Sequence, residues 1–290
     1  MHAEKAKFPI AFMAAEFDVS RQGYAKWAAR QDAPAGPRAT SNRKLTAEIR
    51  RIFLAKRCRY GAPRITVELR RGGWRVSENR VARLMARAGL KARKARRWVP
   101  RTTETDPASK PAANVAARDF APKRPDALWV TDITYLATDE GWLYLAAIVD
   151  CYSRAVVGWA TAEHMRDELC LAALDDAIAR RQPPAGLVHH SDRGSQFTSY
   201  AYQKRLSDNH MICSMSRKGN CWDNAVAESL WATIKRELVD DERWNTRAEL
   251  NQALFEYIEV FYNRERLHSF LDNATPHEYD EKYRLSPEAA

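Results

Sequence analysis

Between Leu128 and Ser216 the hydrophobic pattern of this 290-residue chain changes from strand-like to alternating strand and helix, and that change restricts the fold more than any other feature. The runs "LWVTDITYLA", "WLYLAAIVDCYS" and "AVVGWATA" are rich in β-branched and aromatic residues, and "TDEG" joins the first two as a hairpin turn. The pattern then predicts a helix from Met165 to Arg181, the strand "GLVHHSD", a helix from Ser195 to about Asn209, the strand "MICSMS" and a further helix. A meander that feeds α/β units implies a mixed sheet flanked by helices, hence the α/β class. The first strand of such a sheet is normally central, and the strand after the first crossover is its expected neighbour.

Three acids stand out against this pattern. Asp132 lies inside the first strand, in "WVTDITY", where an uncompensated carboxylate is costly. Asp192 ends the fourth strand before Arg193-Gly194; it either shapes the turn or holds something positive. Glu228 lies in "DNAVAESLWATIKREL", a helix capped by Asp223 or Asn224. At about 100° per residue, Val226, Leu230 and Ile234 form its apolar face, and Asn224, Glu228 and Lys235 fall opposite. Glu237 is the exception, falling near the apolar sector. With the first and fourth strands adjacent, Asp132 and Asp192 stand side by side and the last helix brings Glu228 across the sheet end. Three converging carboxylates repel unless cations intervene, and all-oxygen ligation favours two Mg²⁺ or Mn²⁺ ions over zinc.

Other polar residues carry weaker signals. Asp150 is read as bonding nearby backbone rather than as a fourth ligand, and His189 and His190 as dispensable to a metal-activated water. Arg193 either contacts phosphate or pairs with an acid. "SRKGNCWDN" reads as a loop beside the site that Trp222 anchors, and Tyr257 and Tyr262 as helix core.

Charge is unevenly placed. The total is +10, yet Ser41 to Arg101 holds 20 Lys and Arg against Glu48, Glu68 and Glu78, leaving the remainder at −7. Such a basic module is the footprint of a polyanion binder. A helix is expected from Leu45 to Arg59, and "YGAPRITVELRRGGWRVSENRVARLMARAGL" reads as helix, Gly-Gly turn, helix, with Ser77 as N-cap and Gly89 as stop. Arg80, Arg83 and Arg87 line one face of the second helix, as in a helix-turn-helix that reads double-stranded DNA. Lys91 and Lys94 in "KARKARRW" extend it along the backbone. The expected organisation is therefore an N-terminal helical segment (1–40), a basic helix-turn-helix module (41–101), a linker (102–125), a catalytic core (126–240) and a C-terminal helical extension (241–290).

The five cysteines, Cys58, Cys151, Cys170, Cys213 and Cys221, form no CxxC and are read as reduced thiols. No apolar run is long enough to span a bilayer and no signal peptide is expected, which points to the cytoplasm and the nucleoid.

The spacing makes the acids specific: 59 residues separate Asp132 from Asp192, and 35 separate Asp192 from Glu228. This pattern resembles the catalytic cores of retroviral integrases and bacterial insertion-sequence transposases. "WVTDITYL", "IVDCYSRAVVGW", "HHSDRGSQFTS", "SMSRKGNCWDNAVAESLWATIKREL" and "FYNRERLHSFLDNATPHEY" look like the OrfB-type transposases of copy-out, paste-in elements, and the similarity runs roughly from residue 20 to 280. It implies an RNase H-like core, a metal-binding triad of Asp132, Asp192 and Glu228, and Lys235 as a DNA contact. It further implies element ends and target DNA as partners, a homo-oligomer on DNA, and an upstream-frame product supplied by frameshift fusion. The chain lacks the zinc-binding His/His/Cys/Cys module of retroviral integrases and any heptad-rich segment. Three functions stay open: a transposase, a DNA-binding regulator with a vestigial core, and a nuclease that cuts without joining.

Overall fold

The computed structural model describes residues 1–32, 36–93, 112–116, 120–216, 224–240 and 242–287. The chain divides into two compact units, Met1–Lys91 and Ala92–Ala290.

The first unit is helical: α1 (Ile10–Glu16), α2 (Arg21–Asp32), α3 (Pro37–Ala55), α4 (Ala62–Arg71) and α5 (Glu78–Arg87). Leu45, Ile49, Ile52 and Phe53 of α3 bury against Ile65 and Leu69 of α4 and Val81, Leu84 and Met85 of α5. The expected helix from Leu45 starts earlier, because Pro37 fits the first turn of a helix, where no backbone N–H is needed. Gly73, at φ +84°, makes the turn after α4, and Ser77 caps α5 by accepting from the Arg80 N–H.

The second unit is built on a five-stranded sheet, β1 (Leu128–Thr138), β2 (Gly141–Asp150), β3 (Val156–Ala162), β4 (Val188–Ser191) and β5 (Ile212–Met215), in the order β3-β2-β1-β4-β5. β2 runs antiparallel to β1 and β3, while β4 is parallel to β1 and to β5. The first strand is central and its neighbour after the crossover is β4, as the pattern requires. The crossover helix α6 (Asp167–Arg181) packs on β2 and β3. Gly158 allows this contact: a Cβ there would stand 2.4 Å from the Ala173 carbonyl oxygen and 2.5 Å from the Ala177 nitrogen.

The helix expected from Ser195 to Asn209 is two helices, α7 (Ser195–Thr198) and α8 (Tyr200–Asp208). Ser199 is extended between them, and its hydroxyl caps α8 at Tyr202. Then follow α9 (Ala225–Ile234), a π-helical turn Lys235–Val239, α10 (Arg247–Phe255), a π-helical stretch Glu256–Tyr262 and α11 (Pro276–Arg284). The C-terminal helices bind the sheet closely. The Asn263 side chain accepts from the Val156 N–H and donates to the Val156 carbonyl, both at 2.9 Å, and Arg181 pairs with Asp126 and Asp280 at once. Part of the expected linker is also docked: Val115 and Ala116 donate to the Ser214 hydroxyl, and Ala116 is buried.

Candidate active site

The parallel pairing of β1 and β4 sets Val130 opposite His190. Asp132 lies two residues beyond Val130 on β1, and Asp192 two residues beyond His190, in the turn just past the end of β4. Helix α9 packs on β1 and β2 and carries Glu228. Its inward face is Val226, Leu230 and Ile234, as expected, with Ala227 and Trp231 also buried. Asn224, expected on the polar side, is buried instead: as the N-cap it lies outside the helical turns from which that face is projected.

Asp132 is half-buried, and its two oxygens are held. Oδ1 accepts from the Ile133 N–H at 2.8 Å, and Oδ2 accepts from Trp231 Nε1 at 3.0 Å. Burial, then the negative charge of Asp192 and in smaller measure that of Glu228, push its carboxyl up to about 7, against the pull of the two donors. Asp192 Oδ1 accepts from the Gly194 N–H at 2.8 Å, so the turn reading of this residue is correct as far as it goes. Glu228 is exposed, yet partial desolvation still raises its carboxyl.

The three acids therefore share one electrostatic neighbourhood. Among the described residues, however, no three His, Cys, Asp or Glu side chains stand close enough to form a ready-made metal cage. The donor chemistry still fits a hard divalent cation: the donors are all oxygen, and Asp132 is held in a desolvated negative field that such an ion would relieve.

Lys235 opens the π-helical turn seven positions after Glu228, with Nζ 5.4 Å from the centre of the Tyr135 ring. Burial lowers its ammonium, and the charges of Asp240 and Asp132 oppose the shift. Arg193 uses Nε to donate to the Ser216 carbonyl at 2.7 Å, tying the turn after β4 to the end of β5. In the helical unit Arg83 and Arg87 are exposed, as is Lys91. Arg80 differs: Nε and Nη2 donate to Asn42 Oδ1 and Nη2 to Ser41 Oγ, so it is a strut between α5 and α3. Lys94 and most of "SRKGNCWDN", Trp222 included, lie outside the described residues.

The remaining polar candidates are structural. Asp150 is buried and pushed up to about 6 by desolvation; it accepts from the backbone of Asp126 and from the backbone and hydroxyl of Ser153. His190 Nδ1 lies 2.9 Å from Ser214 Oγ. Two backbone N–H groups already occupy that oxygen's lone pairs, so the hydroxyl donates to the ring. His189 Nε2 meets the Tyr202 hydroxyl at 2.6 Å, and burial holds the ring down to about 3. Both rings are buried and held by hydroxyls.

Sequence reasoning misses two residues whose bonds hold α9 and the turn that follows it. Trp231 reads as one more apolar helix residue; its only signal is an indole N–H that requires a partner when buried. Glu237 reads only as out of place. It is buried in a bidentate pair with Arg266, Oε1 to Nη2 at 2.9 Å and Oε2 to Nε at 3.0 Å, and Oε2 also accepts from the Tyr257 hydroxyl at 2.8 Å.

Family models match this architecture in three places: an integrase core domain over residues 122–221, a second integrase core domain over 209–276, and an HTH-like domain over 40–98. The two core matches run from the sheet through its C-terminal helices and place the protein in the class of integrase-core polynucleotidyl transferases. It is 36% identical over 280 residues to the transposase InsF for insertion sequence IS3A of Escherichia coli K12, covering 96% of both chains. It is 41% identical over 239 residues to the transposase for insertion sequence element IS904 of Lactococcus lactis, covering 82% of this chain and 94% of that one. The chain belongs to the IS3-family transposases. Among solved structures, it is similar to the HTLV-2 integrase catalytic core domain in complex with magnesium (20% identity, TM-score 0.42), covering 55% of this chain and 98% of that one. Among the described residues, no helix is long and apolar enough to cross a membrane.

Proposed function

We propose that Asp132, Asp192 and Glu228 are the catalytic carboxylates with which this transposase cuts and joins DNA strands. The observation that supports this reading is the shared field at Asp132: Asp192, in the turn just past β4, and Glu228 both raise it, and the helix of Glu228 is hydrogen-bonded to it through Trp231. The carboxylates would hold two Mg²⁺ or Mn²⁺ ions, closing up on them from their present separation. Bound there, the ions supply charge stabilisation to the attacking and leaving oxygens of an in-line displacement.

In the cutting step, water bonds to phosphorus as the bond to the 3′-oxygen breaks; the proton that water loses is matched by one the 3′-oxygen takes up, leaving a 3′-hydroxyl and a 5′-phosphate. In the joining step, the freed 3′-hydroxyl attacks a second phosphodiester; one P–O bond forms and one breaks, so no energy-rich co-reactant is needed. The half-buried ammonium of Lys235 would position the phosphate beside Glu228. Arg83, Arg87, Lys91 and Lys94 would track the DNA backbone, and Arg193 would hold the turn that presents Asp192. A homo-oligomer that pairs element ends, an upstream-frame product as partner, and a cytoplasmic, nucleoid-associated location complete the reading.

The test uses purified protein, labelled element-end duplex and Mg²⁺, with the products sequenced. Asp132→Asn and Glu228→Gln should each abolish joining while leaving end binding intact, because the carboxylates and the basic helices lie in different units. Normal joining by either variant overturns the assignment. Cuts without joints would favour a nuclease; binding without products would favour a regulator.

A further inference from the structure

Helix α9 displays Glu228 outward and ends in a π-helical turn in which the Asp240 N–H donates to the Lys235 carbonyl at 2.8 Å. Glu237 lies nine positions beyond Glu228, and the two point differently: Glu228 is exposed and Glu237 buried. The inward Glu237 is 1% exposed and bound by Arg266, itself 4% exposed. Arg266 is in turn boxed in: its guanidinium lies 5.6 Å from the Tyr262 ring centre, and its Nη1 is 3.2 Å from His268 Nε2.

We propose that Glu237 and Arg266 are a positioning pair that fixes the rotation of α9 about its axis, and through it where Glu228 and Lys235 point. Apolar packing of Val226, Leu230 and Ile234 can slide by fractions of an ångström without penalty. A bidentate carboxylate–guanidinium pair cannot, because its two parallel hydrogen bonds hold only in one orientation. The fork sits one residue beyond Arg236 in the same π turn that begins at Lys235, so any rotation of α9 that moves Glu228 pulls Glu237 out of it. Trp231, bonded to Asp132, pins the helix from the sheet side. The C-terminal segment around residue 266 thus reaches α9 through the Glu237–Arg266 pair.

This inference rests on the triad reading above, so its test carries a readout independent of joining. The full chain and its Glu237→Gln and Arg266→Lys variants are compared in end binding, joining rate and the Mg²⁺ concentration that half-protects the backbone amides of residues 225–239 from hydrogen exchange. Glu237→Gln keeps the shape and loses the charge; Arg266→Lys keeps the charge and loses the fork. Both should bind ends as the parent does, join about ten to a hundred times more slowly, and need several-fold more Mg²⁺ for protection. Joining lost only in proportion to the unfolded fraction, with the Mg²⁺ midpoint unchanged, would show that the pair merely stabilises the fold and would overturn the proposal. So would parental behaviour in both variants. Should the parent chain join no strands even with the upstream-frame product supplied, the triad reading fails, while the Mg²⁺ midpoints still decide for or against the pair.

Discussion

At the scale of single residues, hydrogen bonds separate the polar side chains proposed to react from those that hold the fold. Trp231 belongs with the second group and yet bears on the first, since its indole N–H is one of two donors that stabilise ionised Asp132. Trp231→Phe keeps the ring's bulk and removes that donor. Joining should fall by about tenfold, the usual cost of losing an outer partner of a metal-ligating group, with the thermal midpoint little changed. A variant that joins at the parental rate would show that Ile133 alone suffices. His189 gives a pH signature. Its ring is neutral when folded, held down to about 3, against an ordinary value of 6.5 in the unfolded chain. Below pH 6.5 the unfolded chain therefore binds the extra proton, and stability drains away as the pH falls towards 3, by up to ~1.4 kcal/mol per pH unit. Urea midpoints between pH 7 and 4 should decline less in His189→Gln than in the parent; equal slopes would place the acid sensitivity elsewhere. The proposed triad could be picked out because spacing along the chain is recorded in the sequence. Trp231 was not, because a buried indole looks the same whatever accepts its proton.

Among elements, the sheet order was readable because a hairpin turn, a meander and two crossovers leave few alternatives. Helix breaks that rest on one residue were not: Ser199 suits a helix interior and a cap alike, and tertiary packing chose the cap. The π turns were invisible for a related reason, since an i→i−5 bond leaves no mark in a pattern read at 3.6 residues per turn. The three arginines of α5 illustrate the same limit. Periodicity sets them on one face, but only coordinates show that Arg80 is tied to Ser41 and Asn42. Two element-scale expectations follow from this. Arg83→Ala and Arg87→Ala should each flatten the slope of log K against log salt for end binding by about 0.9 for every phosphate no longer neutralised, whereas Arg80→Ala should chiefly lower the melting temperature of the helical unit. A slope change confined to Arg80→Ala would reverse those roles. In the sheet, Gly158→Ala forces a methyl against the backbone of α6, and should cost about 3 kcal/mol because no flexible side chain can yield; urea unfolding measures it directly.

For the whole molecule, the boundary expected near residue 240 follows a change from mixed to purely helical pattern, and pattern does not reveal which surfaces a helix covers. Bonds run across that boundary. Beyond residue 240 lie Arg266, which neutralises buried Glu237; Asn263, which closes the backbone of Val156; Glu259, which accepts from the Trp159 indole at 2.8 Å; and Asp280, which shares Arg181 with Asp126. Cutting the chain after Asp240 would strand Glu237 without its partner, a loss of about 3–5 kcal/mol for a buried pair broken on one side. It would also uncover Ile258, Leu267 and Leu271, which are buried in the full chain. Against a net stability of about 5–15 kcal/mol for a domain of ordinary size, these losses together exceed what the sheet can absorb. With Trp27, Trp74 and Trp98 replaced by Phe, a chain ending at Asp240 should therefore keep helical circular dichroism from its N-terminal unit but show no cooperative urea transition in tryptophan fluorescence, whereas the full chain shows one. A sharp transition in the truncated chain, near the parental midpoint, would mean that residues 126–240 are an independent domain and that the C-terminal helices only decorate it.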